Sequence, residues 1–221
     1  SLYVDKTDIT LNIPHGFLTV GTGCHDKDYY NWGYGNITNC DDFNNIDGTC
    51  FSNPGITSDL VKSTPKTIID SNYLTLSKSN LITNFDITEN YKIDMVIHPT
   101  GKIGGWSNII HSTIDGNNCC GPKSRLPGIW FYSNTTRLHI RTSTMEVGNF
   151  GLDPNVELPL NKDTRVIIIV SGNELRVQLS GGVTYDYTIP ISINRYSGNV
   201  KFYASDPWYN PSIAKIKDVK Y

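Results

Sequence analysis

Residues 128–142 constrain the fold most, because apolar and polar side chains alternate there along two short runs. The pattern predicts a β-hairpin with strands at residues 129–132 and 137–141 and a polar turn at 133–136. Side chains alternate between the two faces of a strand, so the hairpin has two different faces. The face fit for a core comprises Ile129, Phe131, Leu138 and Ile140, and the opposite face comprises Trp130, Tyr132, Arg137, His139 and Arg141.

The second of these faces is the predicted functional surface. A symmetric turn would place Trp130 opposite His139 and Tyr132 opposite Arg137. Aromatic rings can lie against the C–H faces of sugars, and the arginines would suit an acidic glycan through bidentate bonds. The alternative is structural, with Trp130 covered by residues 1–65 and His139 a satisfied interior histidine.

The remaining chain predicts further strands rather than helices. Ile93, Met95 and Ile97 alternate with polar residues, and residues 165–170 form a continuous apolar run typical of a central strand buried on both sides. Residues 175–179 alternate again, with Leu175, Val177 and Leu179 facing inwards. Strands at this spacing, without helical periodicity, indicate an all-β antiparallel sandwich or barrel.

Charge and hydropathy exclude two classes of partner. The 221 residues carry a formal net charge of −2, whereas nucleic-acid binders normally have a basic excess. No apolar run approaches the ~18 residues that span a bilayer, so no membrane insertion is expected.

The cysteines predict disulfides and therefore an oxidising compartment, because their spacing fits no zinc motif. Their odd number leaves at least one thiol free or paired outside the chain. The adjacent pair could close a strained ring or, as we prefer, join the N-terminal region to the main domain. The disulfide candidates are Cys24, Cys40, Cys50, Cys119 and Cys120, and the glycosylation candidates are Asn36 and Asn134.

The first 66 residues differ from the rest and predict an irregular, cysteine-containing extension packed on a main domain at residues 67–221. Within it, residues 41–47 carry enough carboxylate and amide oxygens to hold Ca²⁺, although they do not match an EF-hand loop. A solvated polar loop is the other interpretation.

Four segments together resemble the concanavalin A-like lectin/glucanase superfamily, especially its laminin G-like jelly rolls. They are residues 106–111, 124–131, 135–141 and 200–209. For residues 67–221 the resemblance implies an antiparallel jelly-roll β-sandwich with one concave sheet. It also implies a protein that binds glycans or proteins, with Ca²⁺ plausible at loop ends, as in several relatives. One fold hosts many activities, so the site must be argued from its residues.

The catalytic patterns of this superfamily are absent. Its glucanases carry Glu-x-Asp-x-Glu on one strand, and no such triplet occurs here. Jelly-roll polysaccharide lyases use a Tyr or His base with an Arg that neutralises the substrate carboxylate. Tyr132, Arg137, His139 and Arg141 could supply that set, but the lyase signatures Arg-x-Glu-x-Arg and Gln-Ile-His are missing.

A second patch is predicted in the loop of residues 205–211, which looks exposed. Trp208 and Tyr209 could contribute to a ligand site there, whereas the structural alternative is a corner in which Asp206 accepts backbone N–H bonds.

The sequence therefore predicts a jelly-roll sandwich with a disulfide-tied N-terminal extension, secreted or displayed on a cell or virion surface. The predicted function is non-catalytic recognition of a glycan or glycoprotein. The alternatives are a protein-contacting adhesion or structural module and a polysaccharide lyase.

Overall fold

The computed structural model describes residues 65–116 and 121–221, and in addition the backbone of two short paired strands, β1 (Cys24–His25) and β2 (Tyr29–Tyr30). The chain divides into two compact units, Ser1–Ser63 and Thr64–Tyr221. The cysteine side chains, Asn36 and the acidic loop at residues 41–47 all lie outside the described residues. The disulfides, the calcium loop and the packing of residues 1–66 on the main domain therefore stay predictions.

In the larger unit, the described strands form two seven-stranded sheets. All neighbours pair antiparallel except for one short parallel bridge. Sheet 1 consists, from edge to edge, of β10 (Gly151–Leu152), β9 (Leu138–Arg141), β8 (Gly128–Phe131), β7 (Ser107–Thr113), β14 (Gly198–Tyr203) and β5 (Leu81–Ile87), with β15 (Asn210–Pro211) beside β7. Sheet 2 consists of β13 (Tyr185–Pro190), β12 (Glu174–Ser180), β11 (Thr164–Ser171), β6 (Tyr91–Pro99), β16 (Ala214–Lys220) and β3 (Thr67–Ile69), with β4 (Leu74–Thr75) beside β16.

The two sheets enclose one apolar core, as the alternating patterns predict. The predicted inward-facing residues of the hairpin, β6 and β12 are all buried. Burial of such side chains is the main driving force for a sandwich of this kind. The fold is an all-β antiparallel jelly-roll sandwich, and the prediction of fold class is confirmed. Within the described residues, no helix is long and apolar enough to cross a bilayer.

The prediction that β11 is buried on both sides is wrong. Val166, Ile168 and Val170 face the core, but Ile167 and Ile169 are only half-buried. On the outer face Ile169 lies between Lys92 and Arg176 of the neighbouring strands, which are long polar side chains rather than a packed layer. Their aliphatic stems can shelter an apolar residue without enclosing it.

The hairpin has the predicted register, with Trp130 paired to His139 and Phe131 to Leu138. Its turn closes through the Tyr132 N–H, which donates to the Arg137 carbonyl at 3.2 Å. Asn134 adopts a left-handed conformation in that turn (φ 58°), which asparagine tolerates better than most residues. Gly128 leaves room for the ring of Trp130, because a Cβ at position 128 would lie 2.1 Å from Trp130 Cη2.

Candidate functional site

A continuous row of aromatic rings crosses the outer face of sheet 1. Neighbouring ring centroids along it are between 4.6 and 6.1 Å apart. The rings come from five separate segments of the chain, which the β7–β8–β9 and β7–β14 pairings bring together. In order, the row comprises Tyr203, Trp208, His111, Trp130, His139, Trp106 and Tyr132.

Trp130 lies at the centre of this row, and the prediction that it lies on an exposed face is wrong. It is only 1% exposed. The guanidinium of Arg125 lies 4.5 Å from its ring centroid, and the rings of Tyr209 and His111 pack edge-on at 5.7 and 5.2 Å. These covering groups come from β7 and from residues 121–127 and 205–211.

The exposed ring of the row belongs to Trp106, which the sequence analysis did not include among the site residues. Trp106 is 40% exposed. Its ring centroid lies 4.6 Å from that of Tyr132 and 4.7 Å from that of His139, so two rings support it. The β7–β8 register pairs Ser107 with Phe131, which brings the preceding Trp106 to Tyr132. An aromatic surface is therefore open to solvent at this end of the row.

Beside Trp106, the carboxylate of Asp153 joins three of the predicted site residues. Arg141 donates to it bidentately, from Nη1 to Oδ1 at 2.7 Å and from Nη2 to Oδ2 at 2.8 Å. The Tyr132 hydroxyl donates to Oδ2 at 2.7 Å, and His139 Nδ1 lies 3.0 Å from Oδ1. Asp153 follows β10 directly, and β10 pairs with β9, which carries His139 and Arg141. This carboxylate was missed in the sequence because β10 has only two residues and no readable period.

The network sets the protonation states of its members. Burial alone would raise the pKa of Asp153, but hydrogen bonds from His139, Arg141 and Tyr132 outweigh it and hold the pKa well below its usual range. Burial lowers the pKa of His139, and the hydrogen bond to Asp153 offsets only part of this effect. The imidazole is therefore neutral at pH 7. Burial and the hydrogen bond to Asp153 raise the pKa of Tyr132. The face therefore contains an ionised carboxylate, a neutral imidazole and a protonated phenol.

The lowered pKa of His139 predicts a loss of stability in mild acid. The unfolded chain takes up this proton near pH 6.5 whereas the folded chain does so only at lower pH, so stability falls as pH falls below about 6.5. We expect the melting temperature to fall between about pH 7.5 and about pH 5.5, and to fall less in His139→Asn. Equal pH dependence in the two proteins would contradict the assignment. Asp153, with its lowered pKa, contributes in a separate window below about pH 4.

Arg137 completes this end of the face. Its guanidinium carbon lies 4.3 Å from the ring centroid of Tyr132, a cation–π distance. Glu157 pairs with Arg137 in an isolated backbone β-bridge. Its carboxylate, however, binds Lys102 Nζ at 2.6 Å rather than the Arg137 guanidinium. Asn134 is exposed on the adjoining turn, so the sequon is accessible.

The loop of residues 205–211 is not the exposed patch that the sequence suggested. Asp206 is 0% exposed, and its Oδ1 accepts the backbone N–H groups of Trp208 and Tyr209 at 3.0 and 2.8 Å. Its Oδ2 lies 2.7 Å from His111 Nδ1. The structural alternative, an aspartate corner, therefore describes Asp206. Trp208 and Tyr209 are half-buried on the aromatic row and leave part of their surface to solvent.

All seven predicted site residues thus lie in one connected cluster, with Trp106 and Asp153 added to it. In residues 65–116 and 121–221, no group of three or more His, Cys, Asp or Glu side chains is placed to hold a metal. A separate pocket of about 460 Å³, lined by Val147, Phe150, Pro190 and Ile191, contains none of the predicted site residues.

Fold and surface together define the class: an antiparallel jelly-roll β-sandwich with an aromatic outer face. No protein-family model and no curated protein matches the sequence. Among solved structures, a SAP-like pentraxin from Limulus polyphemus is 11% identical, with a TM-score of 0.41 over 69% of this chain and 72% of that one.

Two further solved structures are similar to this chain at comparable identity. An alginate lyase from Klebsiella pneumoniae is 12% identical, with a TM-score of 0.34 over 59% of this chain, which spans 57% of the lyase. Sheep galectin-11 in complex with glycerol is 10% identical, with a TM-score of 0.35 over 65% of this chain and 98% of that one.

Proposed function

We propose that this chain is a non-catalytic carbohydrate-binding module whose ligand stacks on Trp106. The observation that carries the proposal is the position of this ring, exposed on one side and supported by Tyr132 and His139. An aromatic ring that is already fixed offers apolar contact area at a low entropic cost. The guanidinium of Arg137 lies over the ring of Tyr132, one of the two supporting rings, and would serve the hydroxyl groups of a sugar.

The protonation states favour binding over lysis. A tyrosine base for proton abstraction needs a pKa brought down towards the working pH, whereas the pKa of Tyr132 is raised. Its hydroxyl proton is engaged by Asp153, and the bidentate bond to Asp153 already neutralises Arg141. Tyr132 and Arg141 are therefore not in the states that a lyase mechanism requires of its base and its carboxylate-neutralising arginine.

A glycan array with the wild type and Trp106→Ala tests this function. We expect the wild type to bind a defined set of glycans, and the variant to bind them about tenfold or more weakly, equivalent to at least ~1.4 kcal/mol. Tyr187→Ala, which removes a 56% exposed ring from sheet 2, is the matched control and should bind normally. Melting curves establish that each variant is folded.

Three outcomes would contradict the proposal. An absence of glycan binding by the wild type would favour the protein-contacting adhesion or structural role. Unchanged binding by Trp106→Ala would remove Trp106 from the site. Rising ultraviolet absorbance on uronic-acid polymers would reveal a lyase.

We further propose an extracellular location, on a cell or virion surface. This rests on the sequon at Asn134, which lies on an exposed turn, and on the predicted disulfides.

A further inference from the structure

The Trp106 end of the aromatic face carries an excess of positive charge. Asp153 is paired with Arg141, so these two charges cancel. Glu157 is paired with Lys102, and His139 is neutral at pH 7. In the described residues Arg137 has no carboxylate within salt-bridge distance, although the chain as a whole has a net charge of −2. One uncompensated guanidinium therefore stands at the proposed binding surface.

The same guanidinium has hydrogen-bonding capacity left over. Its stacking on Tyr132 fixes its plane. Its Nε is buried and has no acceptor among the described residues, and because the side chain is only half-buried, the terminal nitrogens are the groups that a ligand would bind. An arginine that is oriented by stacking loses less entropy when it binds a planar anion. Arg137 is thus prepared for an oxyanion that the described part of the protein does not supply.

Arg137 and Trp106 belong to the same part of the surface, because both contact the ring of Tyr132. A sugar ring stacked on Trp106 would bring its substituents within reach of the guanidinium. Carboxylates and sulfates accept charge-assisted bonds that are about twice as strong as those between neutral groups.

We propose that the ligand is an acidic glycan whose carboxylate or sulfate group binds Arg137 while a sugar ring stacks on Trp106. This inference rests on the proposed function, since it concerns the ligand of the same surface. Arg141 is held by Asp153 and acts as a positioning residue that fixes Asp153, Tyr132 and His139, not as a second anion-binding group.

The test is an array of acidic and neutral glycans, followed by titration of the best-bound acidic glycan and its neutralised form. A carboxylated ligand is neutralised by methyl esterification and a sulfated one by desulfation, so the two arms identify the anion. We expect the wild type to prefer the acidic form by about tenfold, and Arg137→Gln to lose that preference. Arg137→Lys keeps the positive charge but lacks the planar guanidinium group, so it should retain part of the preference for the acidic form. Raising the salt concentration should weaken wild-type binding but not that of Arg137→Gln.

Arg176→Gln, which changes an exposed arginine of sheet 2 that is paired with Asp186, is the matched control and should bind like the wild type. Wild-type binding to neutral glycans alone, or an acidic preference that survives in Arg137→Gln, would overturn the acidic ligand while the proposed function stands. A complete absence of glycan binding would overturn both.

Discussion

Replacing Asp206 with alanine should lower the free energy of unfolding by about 3–5 kcal/mol, because it removes a buried carboxylate and leaves its buried hydrogen-bond partners without an acceptor. Asp206 and His111 are both 0% exposed. His111 Nε2 lies 2.5 Å from the Ser124 carbonyl oxygen, so both of its ring nitrogens face acceptors. The alanine variant would leave His111 and the N–H groups of Trp208 and Tyr209 buried without the oxygens that they now bind.

Denaturant unfolding measures this loss, with Asp186→Ala as the matched control. Asp186 is likewise a carboxylate paired with a basic side chain, but its pair with Arg176 is exposed on sheet 2 and screened by solvent. We expect the control to remain near the wild type. If the two alanine variants were equally stable, the corner at Asp206 would not have the structural role assigned to it.

Replacing Trp130 with alanine should also lower the free energy of unfolding, by about 3–5 kcal/mol. The ring is enclosed by Arg125, His111 and Tyr209, and no neighbouring group can fill its volume without moving a loop. The substitution therefore removes apolar contacts and leaves a cavity. Thermal or denaturant unfolding would measure the effect.

Trp106→Ala provides the contrast for Trp130→Ala. Since Trp106 is 40% exposed, its removal should cost about 1 kcal/mol or less. The two tryptophans thus separate stability from binding: one variant should unfold easily, and the other should stay folded but lose its ligand. Comparable destabilisation by both substitutions would contradict this division.

The hairpin could be predicted from the sequence because a shift of one residue would turn its apolar face to solvent. The alternation of Ile129 and Phe131 with Trp130 and Tyr132 therefore determined register and faces together. The same alternation carries no information on what covers the polar face. Arg125 and Tyr209, which bury Trp130, reach it from separate loops, and no local pattern links them.

The two residues that were missed illustrate the same limit. Asp153 reaches the site through a strand of two residues, too short for any period to be visible. Trp106 joins Tyr132 through pairing of β7 with β8, and the register of that pair shifts between Asn108 and Ile110. Such a bulge changes which side chains share a face, so counting alternate residues along β7 fails beyond it.

The carboxylate of Asp153 also bears on the kinetics of recognition. With Tyr132, His139 and Arg141 all tied to one anion, the side chains around Trp106 have little rotameric freedom left to lose. An incoming ligand would meet a preorganised surface, so association should be fast and nearly rigid-body, and free and bound side chains should superimpose. Differences in affinity between related ligands would then arise mainly in their dissociation rates.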